Sequence, residues 1–457
     1  MRQEILASWA LLVGIGLLCV GNGLQGTLLS VRAALEGFET STTGIVMAGY
    51  FVGMLGGSLL TPRLIQRVGH VKVFAACASV ASVSILLQSI FIDPVVWFGM
   101  RILTGACFAG IYVVSESWLN NQASNENRGA LLSIYMLIVT LGMGSGQFLL
   151  NVAEPSTAQL FILISVLVSV ASVPILLTAR PAPRFETADS MSIIALYRES
   201  SLAVTANMLT GAAHGTIYGL GAVYAVNSGF STAQVASFMA AFSAGGLLSQ
   251  WPIGWLSDRL GRRAILLWLA VASAVTPLVV MFTSPEQSYF LVLVVLLGGA
   301  VMPMYSMCLA YLNDRLDPEK VVAASGAMIA TSGVGLTLGP IIVGTAMSLF
   351  GDRWFFGGIA VIFCAVVLAV LRSQAAREVT AEEIESQSPI LPAGPIGSPV
   401  AAFVAPDAEE YAVALAEDQL EALDEAAALE EESAAEAAAE DAEAGTRADQ
   451  TSNSTDT

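Results

Sequence analysis

Long, predominantly apolar runs recur along the first 373 positions of this chain, and they are the feature that most limits its fold. A helix needs about 20 apolar residues to cross a hydrocarbon core about 30 Å thick. The expected spans are 7–30, 43–65, 71–92, 95–119, 129–151, 158–178, 200–226, 233–256, 264–283, 288–312, 322–349 and 354–373. Only 12% of the residues are charged, against about 25% in soluble proteins. A soluble core has no place for so much apolar surface, whereas a bilayer does. A β-barrel would show short alternating segments instead. The expectation is an all-α polytopic membrane protein with twelve transmembrane helices. The first run, Ile5–Ser30, has almost no basic leader and no Ala-x-Ala site, so it is expected to remain as a helix.

The net charge of −18 describes only one part of the chain. Residues 374–457 hold 21 of the 37 acids and just two basic residues, Arg377 and Arg447. Residues 1–373 are nearly neutral, with 16 acids against 17 Lys and Arg. No basic face for nucleic acid is present. The acidic Ala/Glu-rich tail follows a Pro/Gly/Ser stretch at 388–399 and is expected to be disordered or a solvated helix. It is expected to be dispensable for the work of the apolar spans, with a partner-binding or regulatory role as the alternative. Cys19, Cys77, Cys107, Cys308 and Cys364 each sit in an apolar run without CxxC spacing, and read as small core residues. No metal or cofactor is expected, and no phosphate loop or nucleophile triad marks an enzyme.

Lys and Arg set the orientation. With the N-terminus inside, sixteen fall on the cytoplasmic side and only Arg32 and Arg353 outside. Both termini are therefore expected in the cytoplasm of a bacterial-type cell, the protein being multi-pass in its inner membrane.

Two halves repeat. At an offset of 193, Tyr112, Leu119 and Asn120 correspond to Tyr305, Leu312 and Asn313, Gly105 to Gly298, and Gly142 and Gly146 to Gly335 and Gly339. At 192, Gly53 corresponds to Gly245 and Gly69 to Gly261. The expected organisation is a six-helix half over 1–178, a cytoplasmic loop over 179–199, a pseudo-symmetric second half over 200–373, and the tail 374–457. A parallel repeat of this kind places a cavity between the halves near mid-membrane.

The loop after the eighth span reads Gly254-Trp-Leu-Ser-Asp258-Arg259-Leu-Gly261-Arg262-Arg263. It resembles the G-x-x-x-D-R-x-G-R-R signature of the major facilitator superfamily (MFS). The equivalent first-half loop, Pro62 to Lys72, keeps Arg67 and Gly69 but has Gln66 in place of the acid. Arg101-Ile-Leu-Thr-Gly105 resembles the superfamily's R-x-x-x-G motif. With Gly110 to Asn120, Asn127-Arg128-Gly129 and His214 to Tyr224, the chain is similar to the YcaD-like branch of permeases without assigned substrates. The resemblance implies the MFS fold and a monomeric secondary transporter of a small solute that works by rocking of the two halves. It also implies that helices one, four and seven line the cavity, and that coupling to protons is common.

Arg101 is the sharpest candidate, because a charge at membrane depth is costly unless paired or wetted. Counting along the spans puts Asn22 and His214 at its level, so the three form one expected site. The alternative for Arg101 is a brace on helix carbonyls. It would suit one carboxylate or phosphate. His214 is the group in the spans with a near-neutral ordinary pKa, and reads either as a core hydrogen bonder or as a carrier of the proton. Gln25, Gln147, Tyr218 and Gln250 must find partners in solute or neighbouring helices. Tyr112 and Tyr305, related by the repeat, read as cavity walls or packing.

Arg67, Lys72, Glu116, Arg128, Asp258, Arg259, Arg262 and Arg263 form the expected inner gate, with ion pairs across the halves that hold one state and break in the other. Topology-setting charge is the alternative. Gly335 to Pro340 resembles an antiporter motif, but on the eleventh span rather than the fifth, so the direction of transport is left open. The competing function is a non-transporting membrane sensor or scaffold that signals through the acidic tail.

Overall fold

The computed structural model describes residues 2–122, 128–177, 191–316 and 320–373, apart from the side chains at 2–8, 120–122, 128–130, 258 and 321–323. The tail, most of the 179–199 loop, and the side chains of Arg128 and Asp258 lie outside the described residues. Every described residue is helical or in a short connection. The long helices are α1 (Arg2–Leu35), α2 (Thr40–Val68), α3 (His70–Ile90), α4 (Pro94–Gln122), α5 (Arg128–Phe148), α6 (Gln159–Leu176), α7 (Ser201–Asn227), α8 (Thr232–Leu260), α9 (Arg262–Met281), α10 (Phe290–Asn313), α11 (Val321–Phe350) and α12 (Trp354–Arg372). A short helix, Ile193–Glu199, precedes α7.

Ten of these helices are long and apolar enough to cross a membrane. The other two, α7 and α8, have the length but carry more Gly, Ser, Thr and other polar residues. For α7 the reason is position. Twenty of its 27 residues are buried, so protein rather than lipid surrounds it and its composition is not set by the bilayer. Outward-facing side chains on the other helices are large and apolar: Trp268, Val279, Leu349 and Val361 are all exposed. An apolar surface of that extent needs a non-aqueous neighbour.

Local chemistry fixes the breaks. Gly69 and Gly261 end α2 and α8 with φ of 87° and 85°, a left-handed backbone in which any Cβ is strained. Ser231 and Gln234 cap the start of α8 reciprocally. α10 breaks after Val301, because Pro303 has no N–H to continue the ladder. α6 has a turn at Ser172. The five cysteines are free. Cys19, Cys107 and Cys308 are buried as expected, whereas Cys77 is half-buried and Cys364 faces outward.

The repeat in the sequence recurs as a repeat in packing. A Cβ on Gly53 would meet the Ile102 carbonyl, and one on Gly105 the Tyr50 carbonyl, so α2 and α4 touch backbone to backbone. In the second half Gly245 faces the Val295 carbonyl and Gly298 the Phe242 carbonyl, which joins α8 and α10 in the same way. Gly142 and Gly146 seat α5 on α1, while Gly335 and Gly339 seat α11 on α7. Small residues permit this approach where lipid offers no hydrophobic drive between helices.

All the described Lys and Arg except Arg32, Arg101 and Arg353 lie toward one end of the bundle, the basic end. The two sets of six helices meet toward the other end. There the Ser41 amide donates to Ser348 Oγ at 3.0 Å. Ser30 Oγ donates to the Gly219 carbonyl at 3.1 Å. A Cβ on Gly44 of α2 would meet the Pro340 carbonyl of α11.

Candidate functional site

A cavity lies between the two sets of helices, and six helices contribute to it: Asn22, Gly23, Gly26 and Thr27 of α1, Tyr50 and Phe51 of α2, Arg101 of α4, Met143 and Gln147 of α5, Tyr218 and Gly219 of α7, and Met239 of α8. The space within, open solvent at its mouth included, is about 470 Å³.

Arg101 is only 5% exposed. Its guanidinium carbon stands 4.4 Å from the centre of the Tyr50 ring. Nε and Nη1 are buried with no hydrogen-bond partner among the described residues. The helix carbonyls do not take them, so the brace alternative lacks its contacts. No carboxylate lines the cavity. A cation–π contact is worth about 2 kcal/mol or more when desolvated, against a cost of several kcal/mol for a buried charge. Arg101 is therefore held by a platform that does not neutralise it.

Asn22 orders this wall. Its Nδ2 donates to Tyr50 Oη at 3.0 Å and to Tyr112 Oη at 3.3 Å. Tyr112 lies behind the wall, fully buried, and supports Asn22 from α4. Thr27 Oγ1 donates to Gln147 Oε1 in a close contact. Gln147 Nε2 turns back to the Met143 carbonyl. On the facing wall Tyr218 Oη donates to Met302 Sδ at 3.5 Å, at the break in α10. Gly26 has open space where a side chain would begin, so the hollow reaches the α1 backbone.

Asn22, Arg101, Gln147 and Tyr218 thus come together at the cavity, with Tyr112 one contact removed. Four others do not line this cavity. His214 is fully buried, with Nε2 donating to the Val301 carbonyl at 3.1 Å. That carbonyl belongs to the break in α10, and the imidazole supplies a donor there. Its Nδ1 has no hydrogen-bond partner. Gln25 faces α3, where Nε2 donates to Gln88 Oε1 at 3.2 Å. Gln250 donates to Ser306 Oγ at 3.2 Å between α8 and α10. Tyr305 is buried on α10, also away from the cavity lining. Tyr50, Thr27, Phe51, Met143 and Met239 are site residues absent from the sequence reading, since nothing in an apolar run separates them from packing residues.

At the basic end Arg67 and Lys72 are exposed and Glu116 is fully buried. Arg262 pairs with Asp314 at 2.7 Å, joining α9 to α10. Arg263 Nη2 donates to the Val370 and Ser373 carbonyls at the end of α12. Arg259 stacks on Trp255 of its own helix, 3.9 Å from the ring centre. These ties lie within the second six helices. Each of these three arginines reaches a carbonyl, acid or ring of its own half. His70, not singled out in the sequence, hydrogen-bonds Ser117 at 2.8 Å and so ties α3 to α4.

The repeat relates the two walls unequally. Residues 192 apart pair Asn22 with His214, Gly26 with Tyr218, and Tyr50 with Phe242; at 193, Arg101 pairs with Val294. Polarity and charge are concentrated in the first half, and bulk in the second.

The family model described as Major Facilitator Superfamily matches residues 11–194 and 201–405. The chain is 29% identical over 368 residues to the uncharacterized MFS-type transporter YcaD of Escherichia coli O139:H28 (strain E24377A / ETEC), an alignment spanning 79% of this chain and 94% of that protein. Among solved structures it is similar to the nucleoside transporter NupG, with a TM-score of 0.67 at 12% identity over 85% of this chain and all of that one. It is also similar to a bacterial homolog of the human lysosomal transporter Spinster in an inward-facing, unoccupied conformation, with a TM-score of 0.62 at 14% identity over 79% of this chain and 94% of that one. At those identities the two structures bear on the fold alone.

Proposed function

The chain belongs to the Major Facilitator Superfamily and is a multi-pass membrane transporter, and from that premise we propose that it is a secondary active transporter of the inner membrane, moving a small solute by alternating access. The halves 1–178 and 200–373 rock about the cavity, and the chain works as a monomer. The observation that carries this reading is Arg101: a buried guanidinium without a counter-ion, facing a space that both halves line. A group with unmet donors at a junction of two moving bodies suits a site that is filled and emptied.

The basic end is taken as cytoplasmic by the excess of Lys and Arg there. The halves then meet at the outer side, through Ser41 and Ser348 and through Gly44 and Pro340. This corresponds to the arrangement in which solute exchanges with the cytoplasm. Protons enter through His214. Its Nε2 holds α10 at the break, one turn along α7 from Tyr218, which contacts the same break at Met302. Protonation at Nδ1 thus bears on an element that also touches the cavity wall.

The test is a ligand screen by thermal unfolding of the purified full-length protein, followed by uptake of each hit into proteoliposomes. A ligand at 100 times its Kd stabilises by about 2.7 kcal/mol. Uptake of a hit that is lost in Arg101→Gln supports the reading. Binding without flux overturns transport and favours a membrane sensor.

A further inference from the structure

Resting on the transporter reading above, we infer that the solute is a small organic acid with one carboxylate and an apolar body, the carboxylate seated on Arg101 and the body lying against Phe51, Tyr218 and Met239. The charge count is the first reason. None of the other eleven residues lining the cavity is charged, so a single negative group makes the occupied site neutral. A dianion, a zwitterion or a cation would leave a charge buried without a partner, which costs several kcal/mol.

The second reason is the hydrogen-bond inventory. Arg101 Nε and Nη1 are buried without partners. Whichever edge of the guanidinium an oxyanion approaches, it meets Nη2 together with one of those two. Both edges therefore offer the paired donors that a planar carboxylate accepts. Three of the other polar side chains already donate to protein partners. Asn22 Nδ2 is given to two tyrosines, Thr27 to Gln147, and Tyr218 Oη to Met302. A sugar-like solute with many hydroxyls would find few free partners and would lose its own hydration.

The third reason is the opposite wall. Tyr218, Gly219 and Met239 from the second half, with Phe51, present rings, a thioether and bare backbone. Gly26 faces them with open space in front of it. Apolar area gains by being covered there, at roughly 25 cal/mol per Å². Methionine adapts to bodies of differing shape.

The experiment uses the full-length protein in detergent and in proteoliposomes, with matched probes: 3-phenylpropionate, its amide, 3-phenylpropylamine, the dianion phenylsuccinate, and dodecanoate as a membrane-derived acid. The expected result is a rise in unfolding temperature, and uptake, with a monocarboxylate and not with the amide, amine or dianion. Arg101→Gln should weaken the response at least about tenfold in half-saturating concentration, and Arg101→Lys should keep part of it. Gly26→Leu, which fills the hollow and leaves Arg101 in place, should abolish it while the unliganded protein unfolds as before. That variant serves if Arg101→Gln fails to fold. A response to dodecanoate alone keeps the inference and assigns the acid to the lipid phase. Equal binding of the amide or amine, a response unchanged in Arg101→Gln, or no response to either acid overturns it. An acid that binds but is not carried across the membrane leaves this inference standing and overturns the transporter reading instead.

Discussion

Arg101 lies over the face of Tyr50 with its guanidinium carbon 4.4 Å from the ring centre, and the two are brought together by a glycine. Gly105, one turn further along α4, sits on the Tyr50 carbonyl. The close crossing of α2 and α4 thus places an electron-rich ring under a buried cation. Tyr50→Leu removes the platform and is expected to lower affinity for an anionic solute about three- to thirtyfold, following the energy of a cation–π contact. Tyr50→Phe keeps the ring, loses the hydrogen bond from Asn22, and should cost less. Titrations of both variants by thermal unfolding check the order.

Glycines in α1 should separate packing from solute binding. A Cβ on Gly23 would run into the Met143 carbonyl, whereas one on Gly26 meets nothing within 4 Å. Gly23→Ala is expected to destabilise by about 1–3 kcal/mol through overpacking. Gly26→Ala should leave the unfolding temperature unchanged. Gly105→Ala and its repeat partner Gly298→Ala should both resemble Gly23→Ala, since each faces a carbonyl of the neighbouring helix. Thermal unfolding of the four variants in one detergent decides this.

His214→Ala removes the donor to the Val301 carbonyl and is expected to destabilise by about 1–3 kcal/mol. In His214→Asn the amide keeps a donor without a titratable group. If His214 carries the proton, His214→Asn should still bind solute, and its uptake should no longer respond to an imposed pH gradient. Uptake measured with and without the gradient distinguishes a carrier of protons from a structural brace.

Gly44 sits against Pro340 at the closed end. Gly44→Leu cannot be accommodated there and should favour the state in which that end is open. With the native cysteines replaced and Thr27→Cys as reporter, labelling by an impermeant thiol reagent from the outer side should rise severalfold in Gly44→Leu. An unchanged rate would mean that the contact between α2 and α11 is not what closes the cavity.

Much of this architecture is legible in the sequence because lipid penalises polarity directly. A run that must cross a bilayer announces its length, and a charge such as Arg101 within one stands out. Paired glycines also announce contacts, since only they allow backbones to touch. Counting along a helix gives height but not bearing. At about 100° per residue, Asn22, Gly23, Gly26 and Thr27 share one side of α1, and Gln25 lies about 130° from the middle of that side. It therefore reaches Gln88 rather than the cavity. His214 is at the right height and is turned to α10 for the same reason. Tyr50 was hidden for the opposite cause: tyrosine is ordinary in a span, and only the Gly105 crossing puts this one under Arg101. The composition of α7 misleads in another way, because a helix wrapped by protein is free of the bilayer's demands.

The unequal walls of the cavity have a directional consequence. A duplicated six-helix unit whose two copies stayed alike would grip a solute the same way round or reversed. Here one copy has Gly26 and Arg101 where the other has Tyr218 and Val294. The hole is thereby given a head and a foot. A passenger keeps one orientation through the cycle, its charged end toward the copy that carries Arg101 and its body toward the copy that carries Tyr218. A fixed orientation, in a site built from twofold repetition, is the trace left by a handful of diverged positions.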